Sequence, residues 1–269
     1  MKIICQKDLL VEAVSNVSRA VCAKSPIPAL EGILLKAEEG TLELTGYDLE
    51  LGIVTTIESK TEQAGELVLS ARLLLDIIRR IPGETVSILS DERFLATIRG
   101  GASEFTIPGL SAEEYPELPN VQQQSDLVLK QGVLKSMIDQ TLFAIATTDS
   151  KPVHTGSLFD IKDSCVTLVS VDGYRLAMST DPAVNVEKPF YIPPEVMAEL
   201  TMFKEQDCTI SVGEEWAAVE SETLRVLTRI PGYDGFDVER AIPTSFSTEY
   251  PVDVDRLLDE VKYLNGFIT

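Results

Sequence analysis

Residue types that commonly do chemistry are sparse in this chain of 269 residues. It has one histidine, His154, and four cysteines, Cys5, Cys22, Cys165 and Cys208, which lie far apart without a CxxC spacing. Zinc needs clustered thiolates and imidazoles, so no structural metal is expected and the cysteines read as buried, reduced thiols. A Ser or Cys nucleophile with a His–Asp relay would have to recruit His154. That residue follows Pro152-Val153 at a strand start and reads as structural or pocket-lining. The 43 Asp and Glu residues guarantee accidental carboxylate pairs, and without an apolar pocket around them none signals general acid–base work. Asp172, within Val171-Asp172-Gly173-Tyr174, reads as a residue that fixes a turn. Neither GxxxxGK[ST] nor GxGxxG occurs, so nucleotide binding has no motif behind it. No catalytic residue, metal or cofactor is expected, and the chain does not read as an enzyme.

Hydrophobic residues make up 44% and charged residues 25%, the balance of an ordinary globular protein. No apolar run approaches the ~20 residues that span a bilayer. The start, Met1-Lys2-Ile3-Ile4-Cys5-Gln6-Lys7-Asp8, lacks the apolar core of a signal peptide. A cytoplasmic protein without a membrane partner is expected. The net charge of −20 argues against ordinary DNA binding, which relies on Lys and Arg neutralising phosphates. Net charge does not, however, locate the charges.

An internal repeat organises the rest. Ile107-Pro108-Gly109 returns as Ile230-Pro231-Gly232, an offset of about 123 residues. Tyr47-Asp48-Leu49-Glu50-Leu51 returns as Asp172-Gly173-Tyr174-Arg175-Leu176. Leu9-Leu10 is echoed by Val133-Leu134 and again by Leu257-Leu258. The chain reads as two copies of one unit plus about twenty residues of a third. The expected domains are 1–122, 123–246 and the start of a third at 247–269, with polar residues 120–127 as a linker and a second junction near 244–251.

Each unit reads as strands with two helices on one face. In the first, a strand at 1–6 precedes a helix with Leu9, Leu10, Ala13, Val14, Val17 and Val21 on one side, ended by Pro26 and Pro28. Strands are expected at 32–38, 41–46, 51–57 and 66–69, then a helix at 71–81, then strands at 85–89, 94–99 and 104–107. The second unit repeats the order, with helices near 130–145 and 193–204. This is an α+β layout of mostly antiparallel sheet. Within the four helical segments Lys7, Arg19, Lys24, Arg72, Arg79, Arg80, Lys130, Lys135 and Lys204 outnumber the acidic residues, so a weakly basic helix layer is expected inside an acidic body.

Several stretches resemble the β sliding clamps, the processivity factors of bacterial DNA polymerase III. They are Lys24-Ser25-Pro26-Ile27-Pro28-Ala29-Leu30-Glu31-Gly32, Thr45-Gly46-Tyr47-Asp48-Leu49-Glu50, Phe105-Thr106-Ile107-Pro108 with Tyr115-Pro116-Glu117-Leu118, Val171-Asp172-Gly173-Tyr174-Arg175-Leu176-Ala177, and Arg240-Ala241-Ile242-Pro243. The resemblance implies repeated DNA-clamp domains, three per chain, with two chains joined head to tail around duplex DNA, helices lining the hole and sheets outside. It implies DNA-facing roles for Lys24, Arg72, Arg79, Arg80, Thr148, Asp149 and Lys151. It also implies a peptide pocket at His154, Val171, Gly173, Tyr174, Arg175, Leu176, Phe236, Arg240 and Ala241. The partners implied are the polymerase α subunit, the clamp loader, and repair and translesion polymerases, with a homodimer for the full-length protein.

The sequence departs from the family at Phe236, often proline, at Val153, Pro194 and Glu195, and at Ala102 and Glu104 on the edge expected to meet a partner chain. Three units would need about 370 residues, so a form lacking most of the third domain is expected. The alternative reading is an acidic protein-interaction scaffold with the clamp fold that does not encircle DNA in this shorter form.

Overall fold

The computed structural model describes residues 1–121, 125–130, 132–146, 156–182, 189–203, 207–232 and 236–266. It divides into two compact units, 1–234 and 235–269.

The larger unit contains the repeat. Its first half runs β1 (Lys2–Gln6), α1 (Lys7–Val17), β2 (Gly32–Glu38), β3 (Thr41–Tyr47), β4 (Leu51–Glu58), β5 (Lys60–Gln63), β6 (Gly65–Ser70), α2 (Ala71–Arg80), β7 (Thr85–Ser90), β8 (Leu95–Gly100) and β9 (Ser103–Leu110). Its second half runs β10 (Ser125–Leu129), α3 (Val133–Thr141), β11 (Ser157–Lys162), β12 (Cys165–Val171), β13 (Leu176–Pro182), β14 (Phe190–Ile192), α4 (Pro194–Glu199), β15 (Cys208–Val212), β16 (Trp216–Glu220) and β17 (Leu224–Arg229). Apart from β5, the two halves match element for element.

Among the described residues every strand pairing is antiparallel. One sheet runs β10-β15-β16-β17-β4-β3-β2-β6-β9-β8-β7-β1-β5, and a second runs β13-β12-β11-β14. The halves are joined through β17 and β4, where Leu224 lies opposite Thr55, Val226 opposite Ile53 and Thr228 opposite Leu51. A sheet ladder therefore crosses the repeat boundary and satisfies backbone groups that would otherwise form two open edges.

The helices pack largely as their periodicity requires, although Leu9 is exposed and Val21 lies beyond the end of α1 at Val17. α1 buries Leu10, Ala13, Val14 and Val17, and α2 buries Ala71, Leu74 and Ile78. These side chains share one core with Ile33, Leu35, Leu44 and Ile53 of the sheet. The Lys7 ammonium donates to the Ile81 carbonyl at 2.7 Å, meeting an acceptor at the end of α2 that the helix itself leaves open. α1 ends so close to β3 that a Cβ on Gly46 would stand 2.0 Å from the Val17 carbonyl oxygen.

Three local features differ from the sequence expectation. β5 (Lys-Thr-Glu-Gln) has no apolar pattern; it forms by pairing with β1 at the sheet edge. The helices expected near 130–145 and 193–204 are α3 and α4, each followed by a 3-10 turn, at Leu142–Ala144 and Leu200–Met202. The expected linker 120–127 is shorter than its polarity suggests. Val121 is buried against Val54, Ala218 and Leu227, and β10 starts at Ser125.

The smaller unit holds α5 (Val238–Ala241) and α6 (Val254–Asn265), capped by Asp237 and Asp253, whose carboxylates accept from the backbone N–H of Arg240 and Arg256. No side chain of α6 is buried, although Leu257, Leu258, Val261 and Leu264 repeat the apolar spacing of α1.

Gly46→Ala is expected to destabilise the larger unit by about 2 kcal/mol or more, because the Val17 carbonyl cannot yield without shifting α1. The check is the midpoint of urea unfolding followed by circular dichroism; an unchanged midpoint contradicts the close packing of α1 on β3.

Candidate functional site

The turn at the start of β13 is built by one carboxylate. Asp172 Oδ1 accepts from the backbone N–H of Tyr174 (2.9 Å) and Arg175 (2.8 Å). Its Oδ2 accepts from Arg175 Nε (2.9 Å) and Nη2 (2.7 Å). Gly173 sits in the left-handed region at φ +84°, a conformation open to glycine at no steric cost. The first repeat builds the same turn: Asp48 Oδ1 accepts from Glu50 and Leu51 N–H at 2.9 and 2.6 Å, and Leu49 takes φ +78°. Reading Asp172 as a turn-fixing residue agrees with this geometry.

The Tyr174 amide, then the Arg175 guanidinium and amide, pull the Asp172 carboxyl down to about 2. The same bonds hold Arg175, whose guanidinium lies 6.0 Å from the centroid of the Phe143 ring, within cation–π range. Tyr174 is 99% exposed and Phe143 62% exposed, so two aromatic rings stand in solvent beside a held cation. The β12–β13 hairpin thus brings Val171, Gly173, Tyr174, Arg175 and Leu176 together on one turn. β13 is also an edge strand of its sheet, whereas its first-repeat counterpart, β4, is paired on both sides.

The other proposed pocket residues are placed differently. His154 lies outside the described residues. Phe236, Arg240 and Ala241 belong to the smaller unit, where Phe236 is half-buried and Arg240 and Ala241 are exposed on and beside the Asp237-capped turn. Phe143 was not legible as a site residue: a Phe after a helix reads as core, and only the fold turns it outward beside Arg175.

Of the DNA-facing candidates, Thr148, Asp149 and Lys151 lie outside the described residues. Lys24 is exposed on the loop after α1. Arg72, Arg79 and Arg80 are exposed on α2. Arg79 Nη2 donates to Ser15 Oγ on α1 at 3.3 Å, and Arg80 lies 3.9 Å from Asp76. Two other cations of the helix layer are paired: Arg19 with Glu199 at 2.7 Å across the repeat boundary, and Lys135 with Asp139. Exposed positive charge in the helix layer therefore concentrates on α2 more than the sequence tally implies.

Among the described residues no group of three or more His, Cys, Asp or Glu could hold a metal. Burial pushes the Cys5 thiol up to about 11 and the Cys208 thiol up to about 12, so both are protonated at neutral pH and poor nucleophiles. Among the described residues no helix is long and apolar enough to cross a membrane.

Two helix-backed copies of one sheet unit, joined edge to edge and carrying an exposed turn, define a repeat-built scaffold. Comparison with known proteins names the kind. Residues 1–119 match the N-terminal domain of the DNA polymerase III beta subunit, and residues 128–232 match its central domain. The Beta sliding clamp of Streptomyces coelicolor is 40% identical over 97% of this chain and 72% of its own length. That of Bacillus subtilis is 30% identical over 97% and 73%. The crystal structure of the Bacillus subtilis DNA polymerase sliding clamp superposes with a TM-score of 0.84 at 29% identity, covering 91% of this chain and 68% of that one. The chain belongs to the β sliding clamp family, the DNA polymerase III β subunits, and is a DNA sliding clamp without catalytic activity of its own.

The Asp172 turn has a pH dependence whose sign follows from its depressed carboxyl. The group is charged in the folded protein down to about 2, against about 3.9 in an unfolded chain. Its stabilising contribution is complete above the unfolded value and lost as pH falls through the folded one. Amide resonances of Tyr174 and Arg175 are expected to move together as pH falls through about 2 and to stay flat there in Asp172→Asn. A flat wild-type profile contradicts the assignment.

Proposed function

We propose that this clamp acts as part of a ring around duplex DNA, with the helix layer facing the duplex and the Asp172 turn presented to partner proteins. The observation that carries the reading is the repeat: helices of both halves share one apolar core with a sheet continued through β17 and β4, while Arg72, Arg79 and Arg80 of α2 stay exposed. A ring is retained on DNA by topology, so a small number of loosely held cations suffices, and strong phosphate contacts would brake sliding. Lys24 and the stretch containing Thr148, Asp149 and Lys151 are proposed as further DNA-facing positions, and the domain limits 1–122, 123–246 and 247–269 remain our assignment.

The partner pocket is proposed at His154, Val171, Gly173, Tyr174, Arg175, Leu176, Phe236, Arg240 and Ala241. Its support is the preorganised Arg175 and the exposed Tyr174 and Phe143 rings, the aromatic and arginine chemistry that anchors peptides. The ligands would be short peptide segments of the polymerase α subunit, the clamp loader and repair or translesion polymerases, whose ordering on binding keeps affinity modest enough for exchange. A head-to-tail homodimer of the full-length protein is part of the same proposal, as is a cytoplasmic location.

The pairing of Arg19 and Lys135 with carboxylates favours a second reading, in which this chain serves as an acidic scaffold that binds proteins without encircling DNA. Two substitutions separate the readings. Arg79→Glu with Arg80→Glu, introduced into the full-length protein, is expected to reduce clamp-dependent primer extension several-fold with an unchanged circular dichroism spectrum. Undiminished extension removes α2 from the DNA-facing surface. Arg175→Ala with Leu176→Ala is expected to weaken a fluorescent clamp-binding peptide by about tenfold or more in anisotropy titrations. Unaltered peptide affinity means the pocket lies elsewhere.

A further inference from the structure

The repeat makes strand edges of the two halves correspond. β4 and β13 each follow an Asp-centred turn. β9 and β17 are each the last strand of a three-strand meander, β7-β8-β9 and β15-β16-β17. One such pair of edges is satisfied within the chain, where β17 lies antiparallel on β4. The counterpart edges are not. Among the described residues β13 pairs with β12 alone. β9 pairs with β8 along Ser103–Pro108 and meets β6 on its other side only through Gly109 and Leu110. Both segments therefore leave one side of the backbone without a strand partner, and an open edge of that kind is a template for another strand.

The side chains on these edges point the same way. At the seam Ile53, Leu224 and Val226 lie in the core shared with the helices, while Val54 and Leu227 are buried on the opposite face. The ladder thus buries apolar side chains on both faces. On the open counterparts Phe105 of β9 and Met178 of β13 stand exposed, as they do when the strand that completes the face is missing.

We propose that β9 of one copy of this chain pairs antiparallel with β13 of a second copy, repeating between chains the β17–β4 ladder formed within one. The fold selects the occupant: β13 lacks the strand that β17 supplies to β4, and β9 holds the place of β17 in the first repeat with its outer side open. Such an interface is heterologous, each copy offering β13 to one neighbour and β9 to another. It goes beyond the full-length dimer proposed above, because both edges belong to the two repeats of this chain. It does not rest on the DNA-facing positions or the peptide pocket.

The test is sedimentation velocity of the intact chain over about 1–100 µM. Salt at about 0.15 M screens the repulsion between copies of charge −20. Species of two or more chain masses, growing with concentration, are expected. Phe105→Glu and Met178→Glu each alter an exposed side chain, so each variant should keep the parent circular dichroism spectrum and sediment alone as a single chain. Mixed one to one they should form a two-chain species and nothing larger, because Phe105→Glu retains β13 and Met178→Glu retains β9. Leu73→Glu, which adds the same charge at an exposed position of α2, should associate like the parent. A parent chain that stays monomeric, either edge variant self-associating alone, or a mixture that stays monomeric overturns the proposal.

Discussion

A strand edge with unpaired N–H and C=O groups must be covered, and in this protein the covering strand comes from the next repeat. β17 closes the open side of β4, so the second half of the chain completes the sheet of the first. The Arg19–Glu199 pair, which bridges the two repeats, follows from where that ladder runs.

The two Asp-centred turns show how one local device serves two purposes. At Asp48 the turn leads into a strand paired on both sides, and the bonds to Glu50 and Leu51 simply set its entry. At Asp172 the same bonds lead into an edge strand, and the carboxylate's second oxygen also holds Arg175 beside Phe143. The same turn thus leads into a strand paired on both sides in one repeat and, among the described residues, into a strand paired on one side in the other.

Charge was the least transferable property between sequence and structure. Lys7, Arg19 and Lys135 count as cations in the sequence, yet each is held by a carbonyl or carboxylate. Long side chains on adjacent helix faces find partners at a range of separations, from Lys135–Asp139 within one helix to Arg19–Glu199 across the repeat. Only the latter kind escapes any local reading, and it is what leaves α2 as the main exposed cationic surface of the described helix layer.

By itself the sequence determined the repeat, most of the order of strands and helices, the larger part of the buried face of α1, the turn at Asp172 and membership of the clamp family. These depend on local periodicity, turn chemistry and motif spacing, all expressed within a few residues. Tertiary structure decided that β17 pairs with β4, that the polar strand β5 forms, that Val121 is buried, and that Phe143 stands beside Arg175. Each joins segments distant along the chain, or one segment to an edge created elsewhere. Such contacts are selected by the competition among all available sheet edges and apolar faces, and no window of neighbouring residues contains that competition.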